Sequence, residues 1–390
     1  MKANPIVSPL VIGLAAIIAA PVSADEAKAS VDLRLRSETV QQDNPLKDAS
    51  ALTLRTRVNF QTQSYSGFNA VVEFEDVRTV AGVDNYNDAI GHNPQYSVIP
   101  DPATTELDQG FLQYTSADFK AKLGRQVIAL DDQRFVGHVG WRQDRQTFDG
   151  ISGEYTGVND LKLSYAYVTK RNRIFAQAKD LAAKDHLINA AYNTPIGKLV
   201  GYGYLLEVDN DTKNNLDTFG ASLTGKKTDF SYSAQFASQT NKTDSSDYKA
   251  NYYMLEGGYG FAGITAKVGY EVLGSDNGQY GFATPLATLH KFNGWADQFL
   301  GTPKQGLKDL YAGVFGKLYG GNWAVVYHDY RADHKTDSID DLGSEINASY
   351  GKAFAKRYSA GVKLASYKAG DAAAGKVNTD KLWVWLGAKF

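Results

Sequence analysis

Thirteen arginines are spread unevenly along this sequence. Eleven of them (Arg34, Arg36, Arg55, Arg57, Arg78, Arg125, Arg134, Arg142, Arg145, Arg171 and Arg173) precede residue 175, and only Arg331 and Arg357 follow. Four fall at alternate positions of two short stretches, Arg34 and Arg36 in VDLRLRSE and Arg55 and Arg57 in LTLRTRVNFQ. A guanidinium is planar and permanently charged, and it grips a carboxylate through two parallel hydrogen bonds. At a spacing of two on adjacent strands, such groups share one face. The resulting basic patch would draw anions and offer them successive weak sites along a pore. Glu73 and Glu75, on the next stretch, lie within cross-strand reach and could turn the patch into structural ion pairs. Four arginines exceed those two acids, so both roles are compatible.

Two longer stretches add aromatic and polar groups. QRFVGHVGWRQDRQTFDG (133–150) carries Arg134, Trp141, Arg142, Gln143 and Arg145. GFATPLATLHKFNGWADQFLGTPKQGLKDLY (281–311) carries His290, Asn293 and Trp295 and is apolar for a connection that should face water. Long irregular connections are usually functional or disordered. The second has too many apolar residues for disorder, so it is expected to pack on, or fold into, the mouth of the domain, with GWADQFL as a short helical turn. Its indole and that of Trp141 either stack on sugar rings or anchor the loops.

Other chemistries find little support. The six histidines show no HExxH or other ligand spacing, and no serine sits in GxSxG. No GxxxxGK[ST] loop is present, and no GxGxxG precedes a helix. Without cysteine there is no disulfide framework or thiolate metal site. A formal net charge of -2 argues against nucleic acid as a partner. The expectation is a non-enzyme with no metal and no cofactor.

The elements that must position these residues follow from hydrophobic period. From Ser30 onward apolar residues recur every second position, as in Val31, Leu33 and Leu35 against Asp32, Arg34 and Arg36. That is the period of a strand. Strands are expected near 30–38, 51–62, 67–78, 107–116, 119–128, 145–155, 160–170, 184–193, 197–208, 215–225, 228–238, 248–260, 263–272, 307–319, 322–332, 342–353, 357–368 and 380–390. Every second connection is a tight turn, such as SYSG (64–67), SAD (116–118) and YGGN (319–322). The others are longer and polar, notably 79–106, 129–145 and 273–306. Short turns at one end and long loops at the other mark an outer-membrane barrel. The expected fold class is therefore all-β, a transmembrane antiparallel up-and-down barrel of about 18 strands. A barrel that wide encloses an aqueous lumen. The mean hydropathy of -0.35 agrees, because half of each strand then faces water.

Both ends of the chain fit export to that location. Lys2, the apolar run VSPLVIGLAAIIAAPVSA and the acidic DEA read as a signal peptide, residues 1–24, cleaved before Asp25. Residues 25–390 then form the barrel, in the outer membrane of a Gram-negative bacterium, among lipid and lipopolysaccharide. In KLWVWLGAKF, alternation sends Leu382, Val384, Leu386 and Phe390 to lipid, and Trp383 and Trp385 into the lumen beside the arginines. A terminal aromatic on the last strand resembles the signal read by barrel-assembly machinery, so Phe390 is the expected contact.

The stretches RFVGHVGWRQDRQTFDG and FATPLATLHKFNGWADQFLGTP resemble the bacterial alginate export family of outer-membrane porins. The resemblance implies an eighteen-stranded barrel, expected as a monomer with a trimer as the alternative, and a basic pore for anionic polyuronate. By motif position it points to Arg125, Arg134, Trp141, Arg142, Gln143, His290, Asn293 and Trp295. The chain is shorter than a dedicated alginate secretin. The expected function is therefore passive diffusion of small anionic solutes, uronates or acidic oligosaccharides. The alternatives are a general non-selective porin and, more distantly, a polysaccharide export channel or a barrel enzyme or adhesin.

Overall fold

A computed structural model of the protein describes residues 27–390 apart from Lys213. The expected signal peptide lies outside the described residues. Eighteen antiparallel strands form one closed sheet. The first eight are β1 (Lys28–Gln42), β2 (Ala49–Gln61), β3 (Phe68–Asn85), β4 (Thr104–Thr115), β5 (Phe119–Gln126), β6 (Thr147–Val158), β7 (Leu161–Asn172) and β8 (Leu181–Thr194). The other ten are Gly197–Glu207, Asn215–Lys227, Phe230–Lys242, Asp247–Phe261, Ile264–Leu273, Leu307–Leu318, Gly321–Arg331, Asp341–Phe354, Tyr358–Lys368 and Thr379–Lys389.

Each strand pairs with its neighbours in sequence, and the last strand returns to the first. Asp32 faces Lys389, Leu35 faces Leu386 and Thr39 faces Leu382. Beyond the last strand, Phe390 N donates to Val31 O (2.9 Å) and Val31 N donates to Phe390 O (3.0 Å). Closure matters because hydrocarbon offers no partner to an open strand edge.

The outer face is apolar, with Leu112, Leu123, Leu255, Val268 and Leu386 exposed on it. Near the short turns lies a ring of exposed aromatics, among them Tyr65, Phe68, Phe119, Tyr259, Phe261, Tyr319 and Phe390. This is the girdle expected where a barrel meets the membrane interface. Glycine is needed at position 124, where φ is +127° and a Cβ would stand 2.3 Å from the Gly110 carbonyl oxygen. β5 is hydrogen-bonded to β4 there, with Phe111 opposite Gly124 and Gly110 opposite Arg125.

All eighteen expected strands are present, and the differences are local. β3 continues to Asn85, where Ser50 pairs with Asn85 and Ala51 with Asp84. The extension TVAGVDN (79–85) is interrupted at Ala81 and Gly82, both at positive φ, which breaks the strand period. The expected 79–106 loop thus shrinks to 86–103. GWADQFL is not helical but a run of turns. The Trp295 and Ala296 N–H groups donate to the Glu345 carboxylate (2.5 and 2.8 Å), which holds them away from helical acceptors. The one helical turn of that stretch is Leu289–Lys291.

Candidate functional site

The connection 127–146 and the connection 274–306 fold inward and join inside the barrel. Val136 and Leu286 form a parallel bridge. Gly137 N donates to Leu286 O (2.8 Å), and Thr288 N donates to Gln133 O (3.1 Å). Their apolar residues Phe135, Val136, Phe282, Leu286 and Phe299 are buried against inward side chains of the wall, such as Tyr202, Tyr252 and Tyr330.

Arg134 fixes this assembly to the wall. Its guanidinium donates to Glu271 (2.6 Å), Thr284 (3.3 Å) and Asn293 (3.1 Å). Asn293 in turn donates to Glu271 (2.5 Å) and Asp309 (3.1 Å). Burial opposes the charge on Arg134, but the Glu271 carboxylate outweighs it and raises its pKa. A buried guanidinium with every donor group used is a structural clamp.

On the opposite flank the loop meets β1 and β2. Arg34 and Arg55 face each other in register, as do Asp32 and Arg57, and Arg36 and Thr53. Gln143 lies across them, accepting from Arg34 Nε (2.9 Å) and donating to Thr53 Oγ1 (2.8 Å). Arg34 also donates to the carbonyls of Gly140 (3.1 Å) and Arg142. Arg36 pairs with Asp101 and with Glu38 (3.4 Å), and donates to the Trp141 carbonyl (2.5 Å). Arg142 reaches Glu38 (2.8 Å) and Asp297 (3.0 Å). Arg57 pairs with Glu75, Arg55 with Asp32, and Arg145 with Glu73 and Asp108.

The acid count made from the sequence was too low. Asp32 and Glu38 share the inward parity of Arg34 and Arg36, while Asp101 and Asp108 come from the next connection and β4. Seven of the eight arginines singled out from the sequence pair with a carboxylate. Arg34 is the exception among the described residues, since its acceptors are two carbonyls and an amide oxygen. Arg125 stands apart from the loops, bound to Asp149 (2.7 Å) and the Leu107 carbonyl (3.0 Å).

The aromatic residues gather where both loops touch the closing strands. Trp141 stacks on His290, with ring centroids 5.1 Å apart and planes 3° from parallel. Trp383 and Trp385 meet Trp141 edge-on at 5.9 and 5.5 Å. Between them stands Lys363, its ammonium 3.8 Å from the Trp295 ring centroid and 4.5 Å from that of Trp141. Lys363 donates to His290 Nε2 (2.8 Å), and His290 Nδ1 donates to Asp297 (2.7 Å). Burial holds the His290 pKa down at about 3, so the imidazole is neutral and can accept from Lys363 while donating to Asp297. Burial disfavours the Asp297 charge, but His290, Lys381 and Arg142 keep its pKa well below the ordinary carboxylate range.

Sequence reasoning missed Lys363, Lys381, Asp297, Glu271 and Glu345. The inward parity of YSAGVKLASYK and KLWVWLGAKF was the available signal for the two lysines. The same parity marked Glu271 and Glu345, and only Asp297, in a connection, had no local signal.

These features now meet the comparisons with known proteins. The alginate export family profile matches residues 26–272. The chain belongs to the alginate export family. This family member also shares its fold with solved structures of low sequence identity. Acinetobacter baumannii OccAB1 is 15% identical, with a TM-score of 0.71 over 93% of this chain and 96% of that one. Pseudomonas aeruginosa OccK9 (OpdG) is 12% identical, with a TM-score of 0.71 over 93% and 98%. Pseudomonas aeruginosa OpdK, solved with vanillate, is 13% identical, with a TM-score of 0.66 over 93% and 98%. No curated protein matches the chain by sequence.

Proposed function

We propose that this barrel is an outer-membrane porin of a Gram-negative bacterium for passive diffusion of small anionic solutes, with uronates and acidic oligosaccharides as the substrate class. Arg34 carries the reading. It lies opposite a second arginine, on the wall against which the inner loop packs, and its charge is not offset by a carboxylate of its own. An anion passing that wall meets a fixed positive charge held in place by neutral acceptors. Membership of the alginate export family supports a uronate, and vanillate, held by OpdK, is a small carboxylate. The hydrogen-bonded joint between the two loops favours small solutes over an exported polymer.

The rest of the reading follows the same location. Residues 1–24 serve as a cleaved signal peptide, and Phe390 engages the assembly machinery. The barrel works as a monomer in lipid and lipopolysaccharide, without enzymatic activity. A general porin with little charge preference is the second reading. It is favoured by the ion pairing of the other seven arginines.

Reversal potentials in planar bilayers under a salt gradient separate the two. The expected result is anion preference, reduced when Arg34, Arg36, Arg55 and Arg57 are neutralised, and block by alginate oligomers but not by neutral oligosaccharides. Equal cation and anion permeability in the wild type would establish the general porin. An absence of conductance would move the reading to an adhesin or enzyme.

A further inference from the structure

We propose that the junction of Arg36, Trp141, Lys363 and Trp383 binds one small monovalent anion, a halide or a carboxylate head group. Donors and charge lead separately to this site.

The junction is rich in donors and poor in acceptors. Arg36 Nε, Trp141 Nε1 and Trp383 Nε1 are buried and have no acceptor among the described residues. Arg36 and Trp383 are almost wholly enclosed. Buried indole N–H groups ordinarily find a partner. Lys363 has three N–H bonds, and His290 Nε2 is the single acceptor it reaches among the described residues. Its other neighbours are the rings of Trp141, Trp295 and Trp383. Arg36, Lys363 and Trp383 crowd the Trp141 indole. The Arg36 guanidinium carbon is 5.2 Å and the Lys363 ammonium 4.5 Å from the Trp141 ring centroid, with the Trp383 ring at 5.9 Å.

The charge count agrees. Arg36, Arg142 and Lys381 face Glu38, Asp101 and Asp297, three cations against three acids in one network. Lys363 is a further basic group, and no carboxylate of the described residues forms an ion pair with it. Glu345, on the neighbouring wall, accepts through Oε1 from the N–H groups of Trp295 and Ala296. One anion there would give Lys363 a direct ionic partner. Indole edges, which carry the positive end of the ring quadrupole, suit an anion in the plane of the ring. A divalent cation would face only donors. The site requires no solute flux, so it stands or falls separately from the proposed selectivity of the channel.

The test is crystals of the full-length protein grown without halide, soaked in bromide alone and in bromide with excess acetate. The expected result is an anomalous peak within hydrogen-bonding distance of Lys363 Nζ or an indole Nε1. It should be retained in Lys363→Arg and lost in Lys363→Met. Displacement by acetate identifies a site that accepts carboxylates, and persistence of the peak identifies a halide site. Should Lys363→Met not fold, Trp383→Phe keeps an aromatic ring but removes the indole N–H, and its bromide occupancy should fall. No peak in the wild type, or an undiminished peak in the variant that folds, overturns the proposal.

Discussion

Arg34 and Arg55 stand directly opposite each other on neighbouring strands, yet only Arg55 has a carboxylate, that of Asp32. Two like charges in register destabilise a strand pair unless something else satisfies them. Arg34 is satisfied by the loop, through Gly140, Arg142 and Gln143, and it stays charged without being neutralised. Replacing it with glutamine should lower anion over cation permeability about tenfold, since what an anion loses a cation gains. A unit charge at about 6 Å in water is worth about 0.7 kcal/mol. Reversal potentials measure this, with Arg34→Lys, which keeps the charge, as the reference expected to change little.

Asp297 joins Arg142, His290 and Lys381, so one carboxylate ties both loops to the last strand. Removing one partner of a buried ionic network costs about 3–5 kcal/mol, because the cations left behind stay buried. Asp297→Asn should leave the barrel closed but loosen the loops. The measurable outcome is noisier single-channel current and faster protease cleavage within 274–306.

His290 gives the loop assembly a pH dependence with a definite sign. Its packed pKa is about 3, below the 6.5 of a free histidine, so the detached loop binds more protons. The contribution of His290 is therefore complete above about pH 6.5 and is lost as pH falls toward 3. Tryptophan fluorescence should report release of the Trp141–His290 stack on acidification over that window. His290→Gln should remove most of the pH dependence.

Phe390 contributes two backbone hydrogen bonds to the seam with Val31, and its ring sits beside Tyr358 and Arg357. Deleting it should reduce the fraction of assembled barrel in cells by more than it lowers thermal stability of the barrels that do form. Heat-modifiable mobility on gels measures the first, and calorimetry the second.

The barrel was legible because alternation is a local signal, repeated in every strand and reinforced by the turns. The tryptophans on the last strand, Trp383 and Trp385, were placed by parity alone, and their rings pack edge-on against Trp141. The partners of the arginines were less visible. Asp101 and Asp297 belong to connections, and their positions depend on how those connections fold back into the lumen. Asp32 and Glu38 did share the inward face with Arg34 and Arg36. Counting acids along β1 itself would have revealed that most of the patch is neutralised.

The seam between the first and last strands has a consequence for the order of events in time. β1 is among the first parts of the chain to be made, and one of its two neighbours is among the last. Until that neighbour arrives, β1 offers a full edge of unsatisfied amides and carbonyls, and no partial set of strands is stable in hydrocarbon. Assembly therefore cannot follow synthesis strand by strand. It has to wait for the whole chain, with both edges shielded in the interval, and a nascent chain truncated anywhere before Thr379 has no route to a finished product.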